Sequence, residues 1–275
     1  MDVVVLLHLT ALAAYLGAWG VFLRAFRDAG EDVEALATGW RITAAAGGIH
    51  LLALAVFTVT RGSLPLVGLG PASSTLALAI AALLVGASLR EEVRPAALFV
   101  TPLIVLLLGE AVAVGLEPAA RQTAFRGAWF VAHVTVVFVG YAALALASAA
   151  GAMYVLQFRT LKRKDFGSIF SFMPPLETLD RLHRTGLAVG FSGLTLGLIA
   201  GWSWTLTYGR GWDFGNPQVV FGVVTWVAYL GAILARLVPG GRERRSAAAT
   251  TAAFVVTAAA FGLLRALTGG SGFFL

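Results

Sequence analysis

The sequence predicts an all-α integral membrane protein with eight transmembrane helices and both termini extracytoplasmic. Three observations carry that expectation. Of its 275 residues 59% are hydrophobic and 12% charged, against about 25% charged in a soluble domain. Such a surplus exceeds what one aqueous core absorbs and calls for a bilayer as solvent. The apolar residues gather into eight segments, each near the roughly 20 residues a helix needs to cross hydrocarbon. Finally, Lys and Arg concentrate in alternate connections between those segments, as the positive-inside rule requires.

The spans run approximately over 3–23, 42–60, 73–89, 96–115, 128–157, 185–206, 218–237 and 247–267. The first has no basic stretch ahead of its apolar run, so it reads as a span and not a cleaved signal peptide. Arg41 and Arg61 bracket the second. The third follows SLPLVGLGP and stops before Arg90, and the fourth starts behind Pro95. The fifth runs into the basic FRTLKRK, and the sixth reads GLAVGFSGLTLGLIAGWSW. Asn216-Pro217 precedes the seventh, and RERR precedes the eighth. In water these glycines and prolines would argue against helices. In lipid the backbone must bond internally, so helix remains the expectation. The strict alternation of a transmembrane barrel is missing.

One set of connections holds Arg24, Arg27, Arg41, Arg90, Arg94, Arg159, Lys162, Arg163, Lys164, Arg181, Arg184, Arg236, Arg242, Arg244 and Arg245. The other holds Arg61, Arg121, Arg126, Arg210 and Arg265. The richer set faces the cytoplasm of a multi-pass protein of the cell inner (plasma) membrane. The net charge of +6 thus reflects cationic loops on one side, and nucleic acid is not an expected partner. Within the polar segment 158–186, LETLDRLHR follows Pro174-Pro175 and predicts a short amphipathic helix on the cytoplasmic surface. It reads as a basic connector on anionic membrane lipids or as a docking surface. With no internal repeat, residues 1–275 form one membrane domain.

Cysteine is absent, which excludes disulfides and thiolate metal sites. Of four histidines, His183 falls in the amphipathic segment and is expected to be solvated. His8, His50 and His133 fall within spans, either as satisfied interhelical hydrogen bonds or as ligands. Zinc or copper would need three or four converging donors, and carboxylates within the spans are scarce, Glu110 being the clearest. A single axial imidazole, or a pair, suits haem iron better. Gly193, Gly197 and Gly201 form a ridge of spacing four, suited to close helix packing or to a flat ligand. Directly after it come Trp202, Trp204, Tyr208, Trp212 and Phe214, with Arg210 among them. These are an interfacial aromatic belt or a platform for a planar anion.

The segment Tyr208-Gly-Arg-Gly-Trp212, then Asp213-Phe-Gly-Asn-Pro-Gln218, then VVFGVVTWVAY resembles the tryptophan-rich motif of the cytochrome c assembly proteins of the CcsA, CcmC and HemX types. Their motif reads roughly WGxxWxWDPKE and precedes a helix containing ITW. Tyr208, Gly209 and Trp212 match its frame, and Thr225-Trp226 match the helix. HVTVVFVGYAALALASAAGAMYVLQFRTLKRK resembles the family's His-led helix and basic connector, with PPLETLDRL following. Residues 128–262 carry the resemblance well, the first 127 only in layout. Asn216 stands at the motif's acidic position with Asp213 nearby, Ala235 stands where the family has a histidine, and no histidine follows His183.

Length and helix number are similar to the eight-helix HemX-like branch. The resemblance implies a haem b protein, not an enzyme, acting in cytochrome c assembly or haem trafficking. Its partners would be haem and an assembly component or apocytochrome c. His133 is implied as the first external histidine; His50 and His8 are candidates from position. Trp202, Trp204, Tyr208, Arg210, Trp212, Asp213 and Trp226 would form the outer platform, with Arg126 or Arg210 reaching the propionates. The alternatives are a HemX-like regulator of tetrapyrrole synthesis and a membrane subunit or transporter without haem.

The charge bias yields a direct expectation. Reporter fusions at residue 163 should be active only for a cytoplasmic reporter, and fusions at either terminus only for an extracytoplasmic one. The opposite pattern would invert the sidedness.

Overall fold

Lipid offers a backbone no outside hydrogen-bond partner, and the apolar stretches of this chain close their own bonds as helices. The computed structural model describes residues 2–28, 32–118, 127–164, 167–207 and 217–267. Among them lie α1 (Val3–Arg27), α2 (Val33–Arg61), α3 (Leu69–Ala87), a 3-10 turn (Glu91–Ala96), α4 (Ala97–Val114) and α5 (Ala128–Arg163). The short α6 (Ser168–Phe172) leads to α7 (Leu176–Thr207), α8 (Pro217–Leu237) and α9 (Arg242–Leu267). All but α6 and the 3-10 turn supply the eight helices long and apolar enough to cross a membrane, and no strand occurs among the described residues.

Polar ends extend several helices past the expected spans. Asp2 caps α1 by accepting from the Val4 amide at 3.0 Å. Asp32 caps α2 by accepting from Ala35 at 2.8 Å, so this helix begins nine residues before 42. Gly62, at φ +65°, ends it in the left-handed region. Helix α5 runs on to Arg163, its last turn placing Lys162 and Arg163 on the negative end of the dipole.

The first four spans pack as a bundle, α1 and α3 each against both α2 and α4, and meet α5 chiefly through α3. Val4, His8, Ala11, Tyr15, Ala18, Phe22 and Ala25 recur every three or four residues and bury one stripe of α1. The Phe22 ring lies over Gly39 of α2, where a Cβ would come within 2.7 Å of Cε1. Trp19 donates to the Leu98 carbonyl and Trp40 to that of Val85, both at 3.2 Å.

Helix α5 is the shared element. Its residues 142–148 are all buried, so it is covered on every side at that level. One flank joins the core of α1–α4, and the other joins α7, α8 and α9. Small residues permit this. A Cβ on Gly140 would stand 3.1 Å from the Leu194 amide nitrogen, and one on Gly193 would stand 3.0 Å from Gly140 Cα. Gly186 meets the Ala143 carbonyl and Gly151 that of Ala247, each at 2.9 Å from a Cβ. The glycine ridge of α7 is therefore a helix-packing seam.

The structure corrects the reading of LETLDRLHR. It is not a separate surface helix but the opening turns of the 32-residue α7. Glu177, Arg181 and Arg184 are exposed, as an amphipathic pattern predicts. Its apolar face, with Leu179 and Leu187, is covered by protein instead of lipid. His183 is fully buried, not solvated, and its Nε2 lies 2.9 Å from Thr250 Oγ1 on α9. Asp180, one turn earlier, holds Arg236 of α8 through two bonds of 2.9 Å. Gly186 lets the helix continue straight past α5.

The α5–α7 seam should be intolerant of volume. Gly193→Val should lower stability in detergent by about 1–3 kcal/mol through overpacking. Gly231→Ala, whose Cβ meets nothing within 4 Å, should change it little. Equal thermal midpoints for the two variants would contradict a backbone-to-backbone seam.

Candidate functional site

The candidate histidines divide between two places. His133 stands on the second turn of α5, facing α7: Gly201 would place a Cβ 3.4 Å from its Cε1. The Gly197 backbone interacts with the ring, while Nδ1 has no partner among the described residues. Gly201 leaves room beside the imidazole that a side chain would fill, whereas a Cβ on Gly197 would collide with Val137 Cγ2.

That room opens into a cavity of about 530 Å³ between α3, α5, α7, α8 and α9. Its walls are mainly apolar, and Phe130, Trp202, Phe221 and Phe261 supply flat aromatic surface. The mouth lies where α5 and α8 begin and α7 ends, beside the α2–α3 connection at Leu66 and Val67. Asp2, Arg61 and Glu117 mark the same end of the bundle: Arg61 pairs with Asp2, and with Glu117 at 3.2 Å. A concave apolar pocket with one imidazole presented into it is the usual form of a cofactor site.

Of the proposed platform, Trp202 is half exposed and lines the cavity, whereas Trp204 does not. Trp226 turns instead into the α7–α8 interface, where Nε1 donates to Thr195 Oγ1 at 3.0 Å and the ring stacks on Phe191. Arg126, Tyr208, Arg210, Trp212 and Asp213 lie outside the described residues.

His8 and His50 meet within the α1–α4 bundle, not beside His133, and both are fully buried. Their ring centroids are 5.7 Å apart. Ser74 of α3 sits between them, its Oγ 3.0 Å from His8 Nε2 and 2.9 Å from His50 Nε2. The chain has a direction. His8 Nδ1 lies 2.7 Å from the Val4 carbonyl, which can only accept, so that nitrogen carries the proton. In the neutral ring Nε2 then accepts from the Ser74 hydroxyl, and Ser74 accepts in turn from His50 Nε2–H. His50 Nδ1 is left as a bare acceptor with no described partner, beside the Tyr15 ring.

Sequence reasoning missed Ser74, although Ser73, Ser74 and Thr75 are three adjacent hydroxyls in an otherwise apolar span. It also missed Tyr141 and Tyr229, which line the cavity floor. Tyr229 Oη lies 3.0 Å from Ser148 Oγ, a buried link between α8 and α5. No group of three or more His, Cys, Asp or Glu placed to hold a metal ion occurs among the described residues.

Comparison with known proteins gives a consistent result. The sequence model of the Cytochrome C assembly protein family matches residues 43–268. Among curated relatives, the cytochrome c biogenesis protein CcsA of Prochlorococcus marinus (strain MIT 9215) is 30% identical over 157 residues, covering 50% of this chain and 51% of its own. The protein of that name from Guillardia theta is 27% identical over 180 residues, covering 60% and 58%. That of Synechococcus sp. (strain RCC307) is 26% identical over 162 residues, covering 51% and 52%. The chain spans about half the length of the curated relatives it matches.

The serine bridge yields a stability test. Ser74→Ala removes a donor to His8 and an acceptor from His50, leaving two more buried ring nitrogens unpaired. Each should cost about 1–3 kcal/mol. Thr10→Ala, which deletes an exposed hydroxyl bonded within its own helix, should cost far less. Indistinguishable unfolding midpoints for the two would rule out the bridge as drawn.

Proposed function

The chain belongs to the cytochrome c assembly protein family, a multi-pass membrane protein with a role in cytochrome c biogenesis, and from that premise we propose that it binds haem b in the His133 cavity and handles it for assembly or trafficking. One observation carries the reading: the imidazole of His133, whose buried Nδ1 has no partner among the described residues, lines an apolar cavity with aromatic walls, and Gly201 leaves the space beside the ring free of a side chain. Those residues fit a planar macrocycle with one axial protein ligand.

Bound haem would supply an iron that takes an imidazole ligand and a largely apolar ring with two carboxylates. His133 would hold the iron through the free nitrogen, with the Gly197 backbone fixing the ring's orientation as an outer-shell partner does. Gly201 would keep the approach clear, and Phe130, Trp202 and Phe221 would cover the macrocycle and exclude water. Tyr208, Arg210, Trp212, Asp213 and Arg126 are proposed to complete the outer side, the arginines taking the carboxylates. The proposal places the mouth extracytoplasmically, assigns no bond-making chemistry to the chain, and takes apocytochrome c or an assembly component as its partner. Eight spans support placing it near the HemX-like branch. His8 and His50 enter the reading as a second histidine pair, already joined through Ser74.

The test is spectroscopic. The detergent-purified protein should show a Soret band, and His133→Gly should lose or alter it, with added imidazole restoring part of the spectrum. Trp202→Ala should weaken haem retention by about 1 kcal/mol through lost stacking, and Trp19→Ala should not. A His133→Gly protein with unchanged haem content and spectrum would remove His133 from the site.

A further inference from the structure

At the opposite end of the bundle the last turns of α5 and the first of α9 diverge. They cross tightly at Gly151, where a Cβ would stand 2.9 Å from the Ala247 carbonyl. Beyond that crossing a second cavity of about 600 Å³ opens between them. Its floor is apolar, made by Val155, Phe158 and Ala248. Its rim is entirely cationic: Arg159, Lys162 and Arg163 from α5, Arg244 and Arg245 from α9.

None of these five cations makes an ion pair with a described residue. Arg244 lies over the Phe158 ring, its guanidinium carbon 5.3 Å from the centroid, and Arg245 donates to the Pro239 carbonyl at 2.9 Å. Both heads are thus held at the cleft without being neutralised. The nearby acid, Glu243, is engaged by Arg242 at 3.1 Å. Placement on α9 sharpens the imbalance. Arg242, Arg244 and Arg245 occupy its first turns, where the helix dipole already presents positive charge and cations are unfavourable. By contrast, Lys162 and Arg163 suit the end of α5. Five like charges converging on one cleft, two of them set against a helix dipole, form an arrangement that an anion completes.

We infer that this cleft between α5 and α9 binds the headgroup of an anionic phospholipid. The position selects a lipid over a soluble anion. The cleft lies at the ends of two helices long and apolar enough to cross a membrane, and Val155, Phe158 and Ala248 give it an apolar floor. A phosphodiester can therefore meet the arginines while its acyl chains stay in the bilayer. The arginines present forked donors matched to phosphate oxygens, with Lys162 as a point charge beside them.

Native mass spectrometry of the full chain, delipidated and then titrated with phosphatidylglycerol or phosphatidylcholine, tests this. Phosphatidylglycerol should be retained in preference. Arg159→Gln combined with Arg244→Gln should weaken its retention by about twentyfold, near fivefold for each cation. Lys162→Gln with Arg245→Gln should act similarly, so the result does not hang on one pair folding. Arg27→Gln with Arg90→Gln removes the same charge elsewhere at that end of the bundle and should have little effect. Equal losses from all three pairs would mean diffuse surface charge and overturn the site. Displacement of the lipid by millimolar inorganic phosphate, or equal retention of both lipids, would overturn the lipid assignment.

Discussion

The contact between the backbones of α5 and α7 governs the rest of the molecule. Gly140 on one helix and Gly186, Gly190 and Gly193 on the other bring the two axes closer than side chains allow. Bilayer lipid is as apolar as leucine, so helices gain nothing by hiding oil from oil and associate through such close packing. Once α7 is drawn onto α5, its glycine row continues to Gly197 and Gly201, where the partners are no longer backbone but the side chains of Val137 and His133. One row of glycines thus builds the seam at its lower end and the space beside the imidazole at its upper end.

The central position of α5 also explains why the two histidine sites differ. His133 lies near the start of α5, where the neighbouring helices have begun to part and leave a cavity. His8 and His50 lie inside the α1–α4 bundle, where packing is complete and every imidazole nitrogen except His50 Nδ1 finds a protein partner. A buried ring nitrogen costs free energy unless bonded. The Ser74 bridge meets that cost for the pair, while His133 remains available to something from outside. His183, set one turn from the Asp180–Arg236 pair, bonds Thr250 through Nε2, while its buried Nδ1 has no partner among the described residues.

Both ends of the bundle open where helices diverge, and the chemistry of the openings is opposite. One is apolar and aromatic with a lone imidazole; the other is cationic over an apolar floor. Tight backbone crossings hold α5 in mid-bundle, against α7 at Gly140 and Gly193 and against α9 at Gly151.

By itself the sequence determined the helices. Length, apolarity and the absence of water to satisfy a backbone in lipid leave one secondary structure, and the eight spans stand within a few residues of where their hydropathy puts them, apart from polar extensions. The largest such departures are α2, which starts at its Asp32 cap, and α7, which starts at Leu176. The glycine spacing of α7 was legible too, since glycines at helical intervals have close packing as their plain use. What tertiary structure alone decided is which polar residues meet. LETLDRLHR has the same amphipathic pattern whether lipid or protein covers its apolar face, and only packing shows that His183 is inside. His8, His50 and His133 look alike in sequence, each one polar residue in an apolar run. Ser74, sixty-six residues from His8, closes one pair, and Gly201 of α7 leaves the third open, because hydrogen-bond satisfaction and empty space are properties of neighbours brought together by the fold.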